Sequence, residues 1–304
     1  MAFNWPVFRT RALTAIVFVA VMLTGLLWNY WSFFLLFTVI HFGCWWEYLR
    51  LMQKIYNVEY NINLKLGLMV FGFGVMLYMP IMAEQLLRNT SVTYSLTIGG
   101  GKVDLNFLVI AVGTLWTLGG TVQQKNLALK PFLMAALGIF YISVSWGLML
   151  DLFKTTVIDA SDVEVVFAEK IMPVLIIASI WINDTMAYIV GSLIGKTPLS
   201  KVSPKKTWEG TVGGVILAVV VVGLAASFYF IKSFQLQFFI LVGILALIAA
   251  ITGTFGDLLE SKLKRMAGVK DSGSIMPGHG GFLDRFDSLL LATPAVWIWL
   301  ALMG

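Results

Sequence analysis

The stretch LQFFILVGILALIAAITGTFG, residues 236–256, decides the fold. It carries no charged side chain, and about 20 such residues in a helix cross the roughly 30 Å hydrocarbon core of a bilayer. The whole chain is similar in character, because 59% of its 304 residues are hydrophobic and 12% are charged. Such a composition is too apolar for a water-soluble globule. The sequence therefore predicts an all-α polytopic integral membrane protein.

Further apolar runs of comparable length predict about nine transmembrane helices. The runs lie at residues 12–29, 30–46, 64–83, 104–122, 131–150, 171–191, 211–231, 236–256 and 288–303. The second and ninth have the least distinct ends, since only NYW separates the first two runs and the last run is short.

The basic residues predict the orientation. With a cytoplasmic N-terminus, most lysines and arginines fall on the cytoplasmic side, as the positive-inside rule requires. Of the 21 basic residues, those expected on the opposite side are Arg88, Lys102, Lys154, Lys170 and Lys232. The formal charge of +5 suits anionic lipid headgroups. The lipid bilayer is therefore an expected partner and nucleic acid is not.

Polar residues are densest in the second part of the chain. We expect N-terminal transmembrane helices over residues 1–125 and a C-terminal transmembrane catalytic region over 126–304, with cytoplasmic loops at 192–210 and 257–287. The first five spans show no pattern of catalytic residues. His41 lies within one of them, and we expect it to bond to a neighbouring helix rather than to act as a ligand.

The sixth predicted span contains Asn183 and Asp184. An ionised aspartate at membrane depth costs about 2.5–3.5 kcal/mol on insertion scales, so it normally faces a polar cavity or a partner. This placement favours a functional group. The alternative is a structural bond from Asp184 to Thr185 or to a lysine.

The loop SPKKTWEG, residues 203–210, predicts a helix start with Ser203 as the cap and Pro204 at the first position. Lys205 and Lys206 would then lie in the first turn, where bound phosphate would offset their conflict with the helix dipole. Taken alone, however, the two lysines fit positive-inside anchors better than a phosphate site.

The segment after residue 256 presents carboxylates on two helix ends. Asp257, Glu260 and Ser261 share one face of a helix that continues from the eighth span, and Asp284 and Asp287 are three residues apart on a helix entering the ninth. Carboxylates this close repel unless a cation joins them, and an all-oxygen ligand set favours Mg²⁺.

Between these helix ends, the glycines of PGHGG allow close backbone approach to phosphate oxygens. They are Gly278, Gly280 and Gly281. Carboxylates, lysines and glycines together indicate phosphoryl or nucleotidyl transfer. The alternative is a cytoplasmic hairpin whose acids and bases pair with each other.

Residues 261–287, SKLKRMAGVKDSGSIMPGHGGFLDRFD, resemble the signature of the phosphatidate cytidylyltransferase (CDP-diacylglycerol synthase) family. The matching positions are Ser261, Leu263, Lys264, Arg265, Lys270, Asp271, Gly273, Pro277, His279, Gly280, Gly281, Phe282, Asp284, Arg285, Phe286 and Asp287. NDTMAYIVG and SPKKTWEG upstream also resemble family segments, so the close resemblance covers about residues 180–290.

The resemblance implies a nucleotidyltransferase of phospholipid biosynthesis, which condenses phosphatidic acid with CTP to give CDP-diacylglycerol and pyrophosphate. It implies Mg²⁺ bound by Asp257, Asp284 and Asp287. It also implies a monovalent cation such as K⁺ beside the Mg²⁺, with contributions from Ser261 and Asp184. A homodimer is also implied. The positive-inside orientation puts the active site on the cytoplasmic side, and we expect the membrane to be a bacterial inner membrane.

Two groups of site residues follow from the resemblance and the residue chemistry. The expected catalytic residues are Asp257, Ser261, Asp284, Asp287, Lys264 and Arg265. The expected substrate-binding residues are Lys205, Lys206, Lys270, Gly278, His279, Gly280, Gly281, Arg285 and Asp184. The attacking lipid phosphate is already an anion, so His279 is expected to donate a hydrogen bond rather than to act as a base.

Two other functions compete with this interpretation. One is a CTP-dependent lipid kinase or a related CDP-lipid synthase. The other is a transporter, which the intramembrane Asn183 and Asp184 would suit. Transporters, however, tend to show related halves with broken helices near the midplane, whereas the polar groups here gather in the second half alone.

Overall fold

The structure is a computed structural model that describes residues 5–88, 95–98, 101–125, 127–155, 170–231, 235–275 and 280–303. Its described α-helices are α1 (Trp5–Leu27), α2 (Tyr30–Tyr56), α3 (Ile62–Arg88), α4 (Leu105–Gln123), α5 (Leu129–Ala136), α6 (Ser145–Lys154), α7 (Ile171–Ile194), α8 (Trp208–Ala226), α9 (Leu236–Met266) and α10 (Leu283–Met303).

Eight helical segments of the described chain are long and apolar enough to cross a membrane. One of them, Leu129–Lys154, runs through α5, a π-helical segment at Ile139–Val144 and α6. The first of the nine predicted spans corresponds to α1. Its apolar stretch, Leu13–Leu27, is shorter than those of the eight segments. The prediction of an all-α polytopic membrane protein is confirmed, and the orientation stays a prediction.

Among the described residues, a pair of strands and a further π-helical segment also depart from regular α-helix. Strands β1 (Ser95–Ile98) and β2 (Gly101–Asp104) form an antiparallel pair within a predicted loop, with Ser95 opposite Asp104 and Ile98 opposite Gly101. A second π-helical segment, Ser227–Ile231, follows α8. Alternating hydrophobicity over four residues is too short a pattern to reveal such a hairpin beside long apolar runs.

The chain divides into two compact units, each built from two segments. The first unit comprises Met1–Leu148 and Leu263–Phe286, and the second comprises Met149–Lys262 and Asp287–Gly304. The division at residue 125 expected from the density of polar residues stays a prediction.

In the first unit, glycines allow α3 and α4 to approach closely. A Cβ at Gly67 would lie 2.5 Å from the backbone nitrogen of Thr117, and a Cβ at Gly74 would lie 2.7 Å from the Ile110 side chain. Small residues of this kind are the usual means of packing membrane helices, because lipid supplies no hydrophobic drive for helix association. His41 of α2 lies in this unit with Nε2 3.0 Å from Ser143 Oγ, so it does bond to a neighbouring element as expected.

In the second unit, glycines play the same part between α7 and α8 and between α9 and α10. A Cβ at Gly214 would lie 2.7 Å from the carbonyl oxygen of Asn183 on α7. A Cβ at Gly256 would lie 2.5 Å from the carbonyl oxygen of Asp287 and 3.0 Å from Ser288 Cα. The absence of a side chain at residue 256 therefore brings the start of α10 against α9.

Replacing Gly256 by alanine is expected to destabilise the protein, since a Cβ pressed against a backbone carbonyl forces the helices apart. Overpacking of this kind costs about 1–3 kcal/mol. Thermal melting of purified protein in detergent measures the effect. Gly119→Ala is the matched control, because its Cβ would meet no described atom within 4 Å. A Gly256→Ala variant that melts with the control would contradict this account.

The predicted helix start at Ser203 is wrong. Residues 201–206 form bends and a turn, in which Lys206 N donates to the carbonyl oxygen of Ser203 at 3.1 Å. Helix α8 begins at Trp208 with Thr207 as its cap, and Thr207 Oγ1 accepts from Gly210 N at 3.1 Å. Both Ser203 and Thr207 are good capping residues. Thr207 is followed directly by the apolar run and has Glu209 in the first turn, where an acid suits the helix dipole.

Candidate active site

Three carboxylates come together in the second unit. Asp257 and Glu260 lie one turn apart on α9, and Asp287 lies on α10. One oxygen from each lies within 4.8 Å of the others. Glu260 is fully buried, Asp287 is 8% exposed and Asp257 is half-buried. We call these three residues the carboxylate cluster.

The charge of the carboxylate cluster has an energetic consequence. Two unit charges 4.8 Å apart repel by about 3.5 kcal/mol at an effective dielectric constant of about 20, so neighbouring cations stabilise the arrangement. Three carboxylate oxygens at this spacing are the ligand chemistry that Mg²⁺ prefers. The donor set therefore fits a divalent cation, which Asp257, Glu260 and Asp287 would hold.

Lys206 supplies one positive charge to the carboxylate cluster. Its ammonium pairs with the Asp257 carboxylate. Ser261, one turn after Asp257, donates its hydroxyl to Asp257 Oδ1 at 3.3 Å. Asp184 on α7 interacts electrostatically with both Lys206 and Asp257. Four predicted site residues are thus brought together: Asp184, Lys206, Asp257 and Ser261.

The loop before α8 is held in a defined conformation, and this places Lys206. Glu209 accepts from the backbone nitrogens of Lys196 and Thr197, both at 3.2 Å. Pro198 and Thr207 form an antiparallel bridge, and Leu199 N donates to the carbonyl oxygen of Lys206 at 2.7 Å. The loop therefore folds back on itself, and Lys206 follows its turn at the edge of the carboxylate cluster.

The first unit contains Asp284, which a different set of donors surrounds. Its Oδ1 accepts from Lys264 Nζ at 2.7 Å. Its Oδ2 accepts from Ser272 N at 2.9 Å, from Ser272 Oγ at 2.9 Å and from Gly281 N at 2.8 Å. Asp284 was predicted to bind Mg²⁺ with Asp257 and Asp287. The structure gathers Glu260 with Asp257 and Asp287, and a metal contact of Asp284 stays a prediction.

The described glycines of the signature lie against carboxylates. Gly280 has φ = +81°, a conformation that glycine adopts readily. A Cβ there would lie 2.6 Å from Asp284 Oδ2. Gly281 leaves no room for a Cβ beside the carboxylate of Glu47. Their predicted contact with phosphate stays a prediction, while Gly278 and His279 lie outside the described residues.

The remaining predicted basic residues are Lys205, Arg265, Lys270 and Arg285, and their side chains are exposed. Lys264 differs, since its side chain is 14% exposed. Exposed lysine and arginine side chains are able to reach anions that arrive from solvent.

Glu47 is the site residue that the sequence analysis did not single out. Glu260 was placed beside Asp257 on one helix face by its spacing of three, but it was not included among the expected Mg²⁺ ligands. Glu47 follows a long apolar run in α2, more than 200 residues before its partners, and nothing local distinguishes it from an acid at the end of a span.

The fold and the carboxylate cluster define a polytopic membrane protein with a candidate divalent-cation site built on transmembrane helices. A sequence model of the Cytidylyltransferase family matches residues 9–303. The chain therefore belongs to the Cytidylyltransferase family.

Curated relatives share part of this chain. A phosphatidate cytidylyltransferase of Bacillus subtilis (strain 168) is 44% identical over 126 residues, which cover 41% of this chain and 45% of the relative. One of Staphylococcus aureus (strain COL) is 47% identical over 116 residues, 38% of this chain and 43% of the relative. One of Synechocystis sp. is 42% identical over 134 residues, 44% of each chain. The matches thus span less than half the length of these relatives.

Proposed function

We propose that this protein transfers the cytidylyl group of CTP to phosphatidic acid, giving CDP-diacylglycerol and pyrophosphate in phospholipid biosynthesis. The observation that carries the proposal is the carboxylate cluster, with Lys206 paired to Asp257 at its edge. Membership in the Cytidylyltransferase family and the names of the three relatives support it.

The proposed reaction balances without an added base. A phosphate oxygen of phosphatidic acid attacks the α-phosphorus of CTP and forms a new P–O bond. The bond from the α-phosphorus to the bridging oxygen of the β-phosphate breaks, and pyrophosphate leaves with that electron pair. Because the nucleophile is an anion at neutral pH, the protein must align two anions and offset their repulsion.

The carboxylate cluster would hold Mg²⁺, which supplies positive charge to the triphosphate when bound. Asp184 and Ser261 would contribute to a monovalent cation such as K⁺. Lys206, which pairs with Asp257 at the edge of the cluster, would contact a phosphate, and Lys205 precedes it in the same loop.

In the first unit, Lys264 and the exposed Arg265, Lys270 and Arg285 would bind phosphate groups of the lipid or the nucleotide. Asp284 holds Lys264 in place at 2.7 Å. The guanidinium groups favour bidentate contacts with phosphate, while the lysines act as point charges.

The setting we propose is a bacterial inner membrane with the active site facing the cytoplasm, where CTP is available. The acyl chains of both lipids would stay in the bilayer, beside the apolar spans. We also propose that the protein is a homodimer.

The test uses purified protein in detergent, phosphatidic acid, Mg²⁺ and CTP labelled at the α-phosphate. We expect label in the organic extract only when Mg²⁺ and phosphatidic acid are both present. A parallel reaction with γ-labelled CTP separates the proposal from its main rival. Transfer of γ-label without α-label would show a lipid kinase and would overturn the proposed function.

A further inference from the structure

A buried carboxylate of α2 lies at the N-terminus of α10. Glu47 is 2% exposed. Its Oε1 accepts from Phe282 N at 3.0 Å, and its Oε2 accepts from Leu283 N at 2.8 Å. The first backbone N–H groups of a helix have no partner within the helix, and a negative charge there is favourable. Glu47 therefore supplies the acceptors that α10 lacks at its start.

The same carboxylate organises the segment that leads to α10. Glu47 Oε2 also accepts from Ser272 Oγ at 2.7 Å. A Cβ at Gly273 or at Gly281 would collide with the Glu47 carboxyl group. Two glycines thus make room for this one side chain, so the backbone on both sides of the undescribed residues 276–279 is fitted around it.

Ser272 connects Glu47 to Asp284. Its hydroxyl lies 2.7 Å from Glu47 Oε2 and 2.9 Å from Asp284 Oδ2, and its backbone nitrogen donates to Asp284 Oδ2. A serine hydroxyl carries one hydrogen and donates to one carboxylate at a time. The backbone N–H is therefore a second, independent tie to Asp284, and a displaced Ser272 would release both contacts.

We propose that Glu47 is a positioning residue for the proposed cytidylyl transfer. It fixes residues 272, 273 and 281–283 and, through Ser272, holds the carboxylate of Asp284 and its partner Lys264 in place. The inference rests on the proposed function for its kinetic consequence, whereas its structural consequence can be measured in a protein without activity.

The chemistry of the contact predicts which substitution is informative. Glutamine has the length of glutamate, but one of its two terminal atoms is an NH₂ group, which cannot accept a hydrogen bond. Either orientation of the amide places that NH₂ against a backbone N–H of Phe282 or Leu283. Glu47→Gln therefore preserves volume and removes half of the acceptors.

The first measurement is limited trypsin cleavage of intact protein in detergent at the exposed Arg265 and Lys270. We expect Glu47→Gln to raise the cleavage rate at these sites at least about fivefold, and Ser272→Ala to raise it less. Glu59→Gln removes the same charge from an exposed side chain and is the matched control. Unchanged cleavage in Glu47→Gln would overturn the proposal, whatever the protein's activity.

The second measurement separates positioning from general destabilisation. A displaced group lowers the rate of a correctly bound complex by up to about a hundredfold. We therefore expect kcat for label transfer from CTP to fall about ten- to a hundredfold in Glu47→Gln, with KM for CTP changed less than about threefold. Loss of activity that follows only the fraction of unfolded protein, with kcat per folded molecule unchanged, would overturn the proposal. Absence of transfer in the unmodified protein would instead refute the proposed function, and the cleavage rates would still test Glu47.

Discussion

The Asp257→Asn variant is expected to lose cytidylyl transfer by about a thousandfold or more, because Asp257 serves two partners. It is one of the three carboxylates within 4.8 Å, and it pairs with Lys206. Losing a metal ligand costs several kcal/mol of transition-state stabilisation, and each 1.4 kcal/mol is a factor of ten in rate. The measurement is the initial rate of α-label transfer across a series of Mg²⁺ concentrations.

The Mg²⁺ series shows whether the activity of this variant is lost through weaker Mg²⁺ binding. Asparagine has the shape of aspartate but no charge, so the helices should stay packed and the Mg²⁺ concentration for half-maximal rate should rise. Glu59→Gln, which removes an exposed charge outside the site, should behave like the unmodified protein. Activity within tenfold of the unmodified protein at its usual Mg²⁺ concentration would exclude Asp257 as an essential ligand.

The Asp284→Asn variant is expected to fall below a tenth of normal activity while remaining folded and inserted. The Asp284 carboxylate is 6% exposed and faces Lys264, which is 14% exposed. Removing the Asp284 charge takes from the Lys264 ammonium the partner that holds it, so Lys264 is expected to leave its position. Retained activity above a tenth would show that Asp284 is not essential.

The Mg²⁺ series also distinguishes the two functions open to Asp284. If Asp284 is a metal ligand, Asp284→Asn should raise the Mg²⁺ concentration needed for half-maximal rate, as expected for Asp257→Asn. If Asp284 only holds Lys264 and the Ser272 backbone, Asp284→Asn should lower the maximal rate and leave that Mg²⁺ concentration unchanged. Lys264→Met provides the comparison, because it removes the ion pair and leaves every carboxylate in place.

The parts of the fold that sequence predicts well are those with a local cause. Apolar length predicted the spans, since a bilayer imposes it directly. The spacing of Asp257 from Glu260 and of Asp284 from Asp287 placed each pair on one helix, and α9 and α10 confirm both assignments. Helical spacing is a property of neighbouring residues, so no tertiary information is needed.

The features that the sequence did not predict depend on a choice between two similar local patterns or on contacts between residues distant in sequence. Ser203 and Thr207 both satisfy the preferences of a helix cap, and only the folded loop with its Pro198 bridge selects Thr207. Glu47 meets Ser272 across 225 positions of sequence. A single acid at such a separation produces no periodic pattern in the sequence. Likewise, only the folded structure shows that Gly273 and Gly281 make room for it.

The π-helical segment Ile139–Val144 makes the packing of the first unit sensitive to insertions and deletions within this segment. A π-bulge adds one residue to an α-helical path, and each residue turns an α-helix by about 100°. Trp146, just beyond it, packs against Phe37 at 5.1 Å and Phe286 at 5.8 Å between ring centroids. A one-residue deletion within 139–144 would rotate the indole away from both rings, an outcome that no apolar exchange at the same positions would reproduce. In this span, insertions and deletions are therefore more harmful than substitutions. Their effect extends to α10, because they remove the contact of Trp146 with Phe286, which lies between Arg285 and Asp287.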